Sequence, residues 1–278
     1  MSSEPVVPSF DGLRLATMDD LPRIATVAAA GFFHSPTFQF QRGRYAEYPD
    51  DTLLSYWKDY HASILDPGCI VLVAEDKLVD AEGEKVYDAL WGAAAYTPGA
   101  GPLGVEVVVG VASIIMKPDS CYKGRFQTKG HADGSALRTA LLDLSRDQCK
   151  EANRIYSEAT GPAKAKYLAG HMRLSTLAIH PAYWRRGHAT RFISWCTRLA
   201  DLEGCLLGIS AVPMGATLAA RAGFEERELV RVKRLCMHNE TGRKDEPNVG
   251  DVELWIAIRQ PSSCPVSDES ATSSDSQL

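Results

Sequence analysis

The hydrophobic pattern of this chain switches repeatedly between short apolar runs and stretches with helical spacing. Residues 13–16 read as a short strand, and Thr17-x-x-Asp20 ahead of an apolar run is a capping-box-like helix start. The helix it opens carries Leu21, Ile24, Ala25, Val27, Ala28 and Phe32 on one side, the spacing of a core-facing stripe. Residues 69–75 and 105–116 are dense in valine and isoleucine and read as strands. Further on, Leu177-Ala178-Ile179 is a short apolar run stopped by Pro181. Phe192, Ile193, Trp195, Cys196, Leu199 and Ala200 then recur near helical spacing, and Gly204 follows as a stop signal. Residues 204–211 read as a buried strand, 213–222 as a short helix, 226–233 as a charged strand and 251–258 as a last strand.

The join between the 177–179 strand and its helix carries the most chemistry. There the chain reads Arg185-Arg186-Gly187-His188-Ala189-Thr190. A helix start leaves about four backbone N–H groups unpaired and carries roughly half a positive charge. A glycine and a small residue at that point let a phosphate approach the backbone closely, so the turn is a candidate pyrophosphate cradle.

This strand–turn–helix segment resembles the acyl-CoA-binding core of the GCN5-related N-acetyltransferase (GNAT) superfamily, whose signature is Gln/Arg-x-x-Gly-x-Gly/Ala. The aligned hexad is Trp184-Arg185-Arg186-Gly187-His188-Ala189: Gly187 and Ala189 match, and Trp184 departs from the usual Gln or Arg. The pair Gly223-Phe224 after the 213–222 helix matches the ending of the family core. The resemblance covers about residues 12–260 and implies an α/β (α+β) fold. Its centre is a mixed, mostly antiparallel sheet of about seven strands flanked by helices, splayed between the fourth and fifth strands. It implies acetyl-CoA as co-substrate and no metal. Backbone from Arg185 to Thr190 would hold the diphosphate, and the edge of Leu177, Ala178 and Ile179 would pair with the peptide-like pantetheine.

The resemblance leaves catalysis open. Family members donate a proton to the leaving sulfur from a tyrosine four residues before Gly-Phe, and here that position is Ala219, with Thr217 and Ser210 the nearest hydroxyls. Arg173 and Ser175 occupy positions where the family places Glu or His, and neither is a useful base. Period-two alternation puts His171, Arg173 and Ser175 on one strand face. His171, whose imidazole titrates near neutral pH, is the candidate general base, Ser175 a second catalytic candidate, and Glu106 and Glu158 are remote options. Direct attack of a small primary amine within a ternary complex is the expected route. A degenerate acyl-CoA-binding sensor or scaffold and a protein N-acetyltransferase remain as alternatives. A Rossmann or P-loop enzyme is disfavoured because neither glycine signature occurs.

Composition changes this picture little. With 35 acidic against 30 basic residues the formal charge is −5, which argues against nucleic acid or an anionic membrane as an obligatory partner. No apolar run approaches membrane-spanning length, and the start lacks a signal-peptide pattern. The seven cysteines show no C-x-x-C pairing, as expected of thiols in a reducing, cytoplasmic setting. Residues 1–11 read as a tail, 12–260 as one domain with an insert at about 117–168, and 261–278 as a Ser-rich, acidic, disordered tail. Inside the insert, residues 135–159 suggest one or two amphipathic helices, and Lys117, Lys123, Arg125, Lys129, Lys164 and Lys166 are candidates to approach a CoA 3′-phosphate. Phe38, Phe40, Tyr45, Tyr48, Tyr56 and Trp57, in residues 34–66, are candidates to roof an acceptor pocket.

Overall fold

The computed structural model describes residues 5–128, 145–233, 237–238, 244–245 and 251–262. Seven strands form one sheet: β1 (Leu13–Leu15), β2 (Cys69–Lys77), β3 (Glu106–Ile115), β4 (Met172–Ile179), β5 (Leu207–Ala211), β6 (Glu225–Val232) and β7 (Val252–Arg259). Their spatial order is β1-β2-β3-β4-β5-β7-β6. Every neighbouring pair is antiparallel except β4 and β5. This is the mixed, mostly antiparallel sheet that the resemblance implies. A two-residue ribbon pairs Met237–His238 with Lys244–Asp245 outside it.

The helices are α1 (Leu21–Phe32), α2 (Pro36–Gln41), α3 (Pro49–Leu65), α4 (Asp88–Trp91), α5 (Lys150–Leu168), α6 (His188–Leu202) and α7 (Pro213–Arg221). α1 and α3 cover one face of the sheet, where Ile24, Val27, Tyr60 and Ile64 pack on Val71, Val73, Val108 and Val111. α6 covers the other face with Phe192, Trp195 and Leu199 against Ile70, Leu72, Val109 and Ile114. Each such side chain contributes roughly 1.5–3 kcal/mol by leaving water.

The capping box forms as expected, with Thr17 N donating to Asp20 Oδ2 at 2.8 Å, but it opens a 3₁₀ turn (Met18–Asp20) that leads into α1. α1 is buried nearly all round, not on one side, because Leu53 of α3 together with Leu90 and Ala93 covers its outer alanines. Gly31 near its end allows the closest approach: a Cβ there would lie 2.8 Å from the Ile179 carbonyl oxygen of β4. Of the expected helical stretch 135–159, residues 145–159 are described, and α5 covers their end and extends beyond it. It starts at Lys150, runs through Gly161-Pro162, and ends at Leu168. Burial of Ala163 and Leu168 against Val230, Leu254 and Ile256 outweighs the two helix-disfavouring residues. The part of the insert from 129 to 144, with Lys129, and the tail from 263 lie outside the described residues. No helix among the described residues is long and apolar enough to cross a membrane.

Two features of β4 create a site. First, β4 and β5 are paired only at Met172–Leu207, Arg173–Gly208 and Leu174–Ile209. Beyond Leu174 the two strands part, leaving one edge of β4 without a partner strand. Second, the β3–β4 register slips so that Ser113 opposes Thr176 while Ile114 opposes Leu174, which makes Ser175 a bulge.

Candidate active site

The bulge changes which side chains share a face. Leu174 and Leu177 both pack towards α6, and the two residues between them, Ser175 and Thr176, both line a cleft under α3. Thr176 Oγ1 lies 3.0 Å from Tyr60 Oη and 2.7 Å from Ser113 Oγ, so three hydroxyls fix the cleft floor. The cleft has a volume of about 320 Å³, and Phe32, Tyr56, Asp59 and Tyr60 form its other walls. Positions 56, 59, 60 and 63 fall on one face of α3 at helical spacing. Of the six aromatic roof candidates, Tyr56 lines the cleft. Phe38 and Phe40 are buried, Trp57 stacks on His61, Tyr45 meets Phe33, and Tyr48 lies under Arg44 and Arg146.

At the opposite end of the open edge, β4 leads through His180 and a 3₁₀ turn (Pro181–Tyr183) into the 185–190 turn. Arg185 and Gly187 both take left-handed backbone, with φ of 62° and 85°. The value at Arg185 is unusual for a residue with a side chain, a local cost typical of sites shaped for function. Gly187 is the N-cap of α6, no side chain caps the helix, and a Cβ on Gly187 would meet nothing within 4 Å. The amides of His188, Ala189 and Thr190 precede the first intrahelical bond, Arg191 N to Gly187 O. The turn is an exposed, uncapped, positively polarised helix start.

The side chains around this turn divide its labour. His188 is buried, with Nε2 2.9 Å from Asp76 Oδ2, so its ring anchors the turn from beneath and only its backbone faces outward. Burial lowers its pKa, against the opposing pull of Asp76. Arg186 Nη1 donates to the same Asp76 oxygen at 3.2 Å and its guanidinium lies over Tyr183. Arg185 is exposed and makes no ion pair with a described residue. Trp184, the departure from the family hexad, donates its indole N–H to Ile179 O at 2.8 Å and packs edge-on against His34.

The Leu177–Ile179 edge is correspondingly divided. His180 N donates to Val109 O, so alternate residues 178 and 180 direct their backbone to β3, while 177 and 179 direct theirs to the open edge. The Ile179 carbonyl is already taken by Trp184, which leaves Leu177 as the residue with both backbone groups available there. From Ile179 back to Ser175 the open edge spans roughly 13 Å. It runs from the uncapped, positively polarised turn to the hydroxyl-floored cleft.

The candidate bases separate in the structure. Ser175 is in the cleft. His171 precedes β4 in the turn after α5, at the end where β4 and β5 are still hydrogen-bonded, and is not among the cleft-lining residues. Glu106 is exposed at the start of β3, and Glu158 pairs with Arg154 on α5. Lys164 and Lys166, proposed above for a 3′-phosphate, sit over the rings of Tyr156 and Tyr167. Ala219, at the family's tyrosine position, is buried in the core, its carbonyl accepting from Phe224 N.

His180, at the hinge between strand and turn, is fully buried. Its Nδ1 accepts from Ala182 N at 3.3 Å, and Nε2 has no partner among the described residues. Burial lowers its pKa from 6.5 to about 4, with Arg23 adding to the effect. A depressed imidazole contributes stability above its unfolded value, and that stability is lost as pH falls towards the folded value. We expect an acid loss on the order of 3 kcal/mol between pH 6.5 and 4. Thermal melts across that range should show it, and His180→Gln should flatten the pH dependence.

No family model matches the chain. A protein of Stachybotrys chartarum described as an acetyltransferase is 29% identical over 221 residues, which is 80% of this chain and 83% of that protein. Among solved structures, mosquito arylalkylamine N-acetyltransferase like 5b superposes with a TM-score of 0.47 at 15% identity, covering 89% of this chain and 98% of that one. A structure from Corynebacterium glutamicum, described as histone acetyltransferase HPA2 and related acetyltransferase, gives 0.43 at 14%, covering 91% and 97%.

Proposed function

We propose that this chain, which has the fold of the GCN5-related N-acetyltransferases, transfers an acetyl group from acetyl-CoA to the primary amine of a small molecule. The observation that carries the reading is the alignment along β4 of the uncapped Arg185–Thr190 turn, the strand edge left open beyond Leu174 and the cleft at Ser175. The likeness to the Stachybotrys chartarum acetyltransferase supports acyl transfer as its chemistry. The residues fit acetyl-CoA: the amides of residues 188–190 lack a side-chain cap and a Cβ on Gly187 would meet no atom within 4 Å, Arg185 makes no ion pair with a described residue, and Leu177 offers a backbone pair at the edge. When bound, acetyl-CoA supplies the activated acetyl group and a thiol leaving group.

The chain's own contribution is alignment. Holding two reactants in register contributes on the order of 7 kcal/mol or more. The hydroxyl-lined floor at Ser175 and Thr176 lies where the open edge meets the cleft, and it orients polar groups in both. Burial pushes the thiols of Cys196 to about 12 and of Cys69 and Cys205 to about 11, which supports direct attack over an acetyl-cysteine. Initial rates with both substrates varied should intersect. Parallel lines, or an acetylated cysteine trapped on the protein, would contradict a ternary complex. His171, His180 and His188 are not among the cleft-lining residues, and water carrying the proton out to solvent suits the hydroxyl floor. A cytoplasmic location and a small-molecule acceptor complete the proposal.

The two arginines should behave unequally. Arg186 is held by Asp76 and Tyr183, whereas Arg185 is free to meet phosphate. Arg185→Ala should raise the KM for acetyl-CoA about tenfold, the loss of one charge-assisted contact. Arg186→Ala should raise it less and lower thermal stability, since it also removes a contact that braces the turn. Unchanged acetyl-CoA kinetics in Arg185→Ala would show that side chain to be solvated surface.

A further inference from the structure

We propose that Asp59 holds the positive charge of the acceptor, and that the acceptors are therefore small cationic amines carrying no carboxylate next to the reacting nitrogen. The inference rests on the acyl-transfer reading for the identity of the cleft as the acceptor site. Asp59 is the one ionisable acid or base among the cleft-lining residues besides the tyrosines. Neighbouring acids on the same side of the fold are already matched. Asp51 accepts from Arg146, and Asp147 accepts from Arg42 and Thr52. The Asp59 carboxylate has no hydrogen bond or ion pair with a described residue. The cation nearest in electrostatic effect, Arg42, is committed to Asp147 and Ser55 and lies 4.8 Å over the Tyr56 ring.

The surroundings suit an ammonium group with an apolar body. Phe32 and Tyr56 stack with centroids 5.5 Å apart and, as cleft-lining residues with Asp59, present aromatic wall to the apolar body of an acceptor. Asp59 is solvent-exposed where it lines the cleft; partial desolvation raises its pKa, with Arg42 opposing. An acceptor carboxylate would meet Asp59 with no described cation lining the cleft to receive it. A cleft of about 320 Å³ restricts the rest of the molecule to modest size.

The test is calorimetric titration of 2-phenylethylamine and of phenylalanine into the full chain at pH 7, with and without CoA. The wild type should bind the amine at least about tenfold more tightly than the amino acid. Asp59→Asn should weaken the amine about tenfold, close most of that gap and leave CoA affinity unchanged, while Asp59→Glu should keep the preference. Equal affinity for the amine in wild type and a folded Asp59→Asn, or binding of phenylalanine as tight as of the amine, would overturn the assignment. Failure to bind CoA with the amine preference intact would instead contradict acetyl transfer and leave the role of Asp59 standing.

Discussion

Gly187→Glu is expected to reduce acetyl-CoA affinity by about 100-fold while the protein stays folded, because a like charge at an anion site costs several kcal/mol. The added side chain meets no protein atom, so it stands in the open space before the helix start. There its carboxylate takes up the positive end of α6 that a diphosphate would use. The backbone at φ 85° adds a separate cost of about 1–2 kcal/mol, which Gly187→Ala shares. Comparing the two variants therefore divides backbone strain from anion competition. Both should melt a few degrees lower, and only the glutamate variant should lose affinity out of proportion to its stability. Calorimetry showing wild-type affinity in folded Gly187→Glu would remove the turn from the binding site.

Glu82→Ala is expected to have the largest effect on stability. Glu82 accepts from Arg23 Nη1 at 2.8 Å and Nη2 at 2.7 Å, from Gly99 N at 3.0 Å and from Tyr183 Oη at 2.7 Å, with both side chains of the ion pair almost wholly buried. Removing it leaves a buried guanidinium uncompensated, a loss of about 3–5 kcal/mol. The melting temperature should fall on the order of 10 °C. The same carboxylate fixes Tyr183 at the entrance to the 185–190 turn, so surviving protein should also bind acetyl-CoA more weakly. Burial raises the Glu82 pKa, but Arg23 and the other donors outweigh it and the net shift is downward. Its contribution is therefore present above the ordinary carboxylate value and lost as pH falls through the lower folded one. Denaturant melts of Glu82→Ala and Tyr183→Phe check this, and a loss below about 1 kcal/mol in Glu82→Ala would mean that Arg23 finds water instead.

The elements with strong local signals were legible in the sequence. β4, Pro181, the glycine turn and the α6 stripe could be placed because strand, stop, turn and helix each had their own residue pattern and followed in order. The expected seven strands and the parting of the fourth and fifth are present. What the sequence hid depends on contacts between distant segments. The Ser175 bulge has no glycine or other local mark. It leaves Ser175 on the cleft face that the alternation gives it and shifts the phase after it, so that Thr176 turns into the cleft beside its neighbour. Asp59 reads as one more polar residue of an exposed helix until Asp51 and Asp147 are seen to be matched by Arg146 and Arg42. Asp76 gains its role only when β2 is laid beside the turn 110 residues later. α5 outruns its amphipathic pattern because Leu168 finds the far half of the sheet.

The measurement that bears most directly on the central claim is release of free thiol from acetyl-CoA in the presence and absence of 2-phenylethylamine, with the amine product weighed by mass spectrometry. The alignment of the Arg185–Thr190 turn, the open β4 edge and the Ser175 cleft predicts thiol release that depends on the amine and matches N-acetylated product one for one. Tight acetyl-CoA binding without amine-dependent release, across primary amines of the size the cleft admits, would contradict catalysis and leave a protein that binds acyl-CoA without using it.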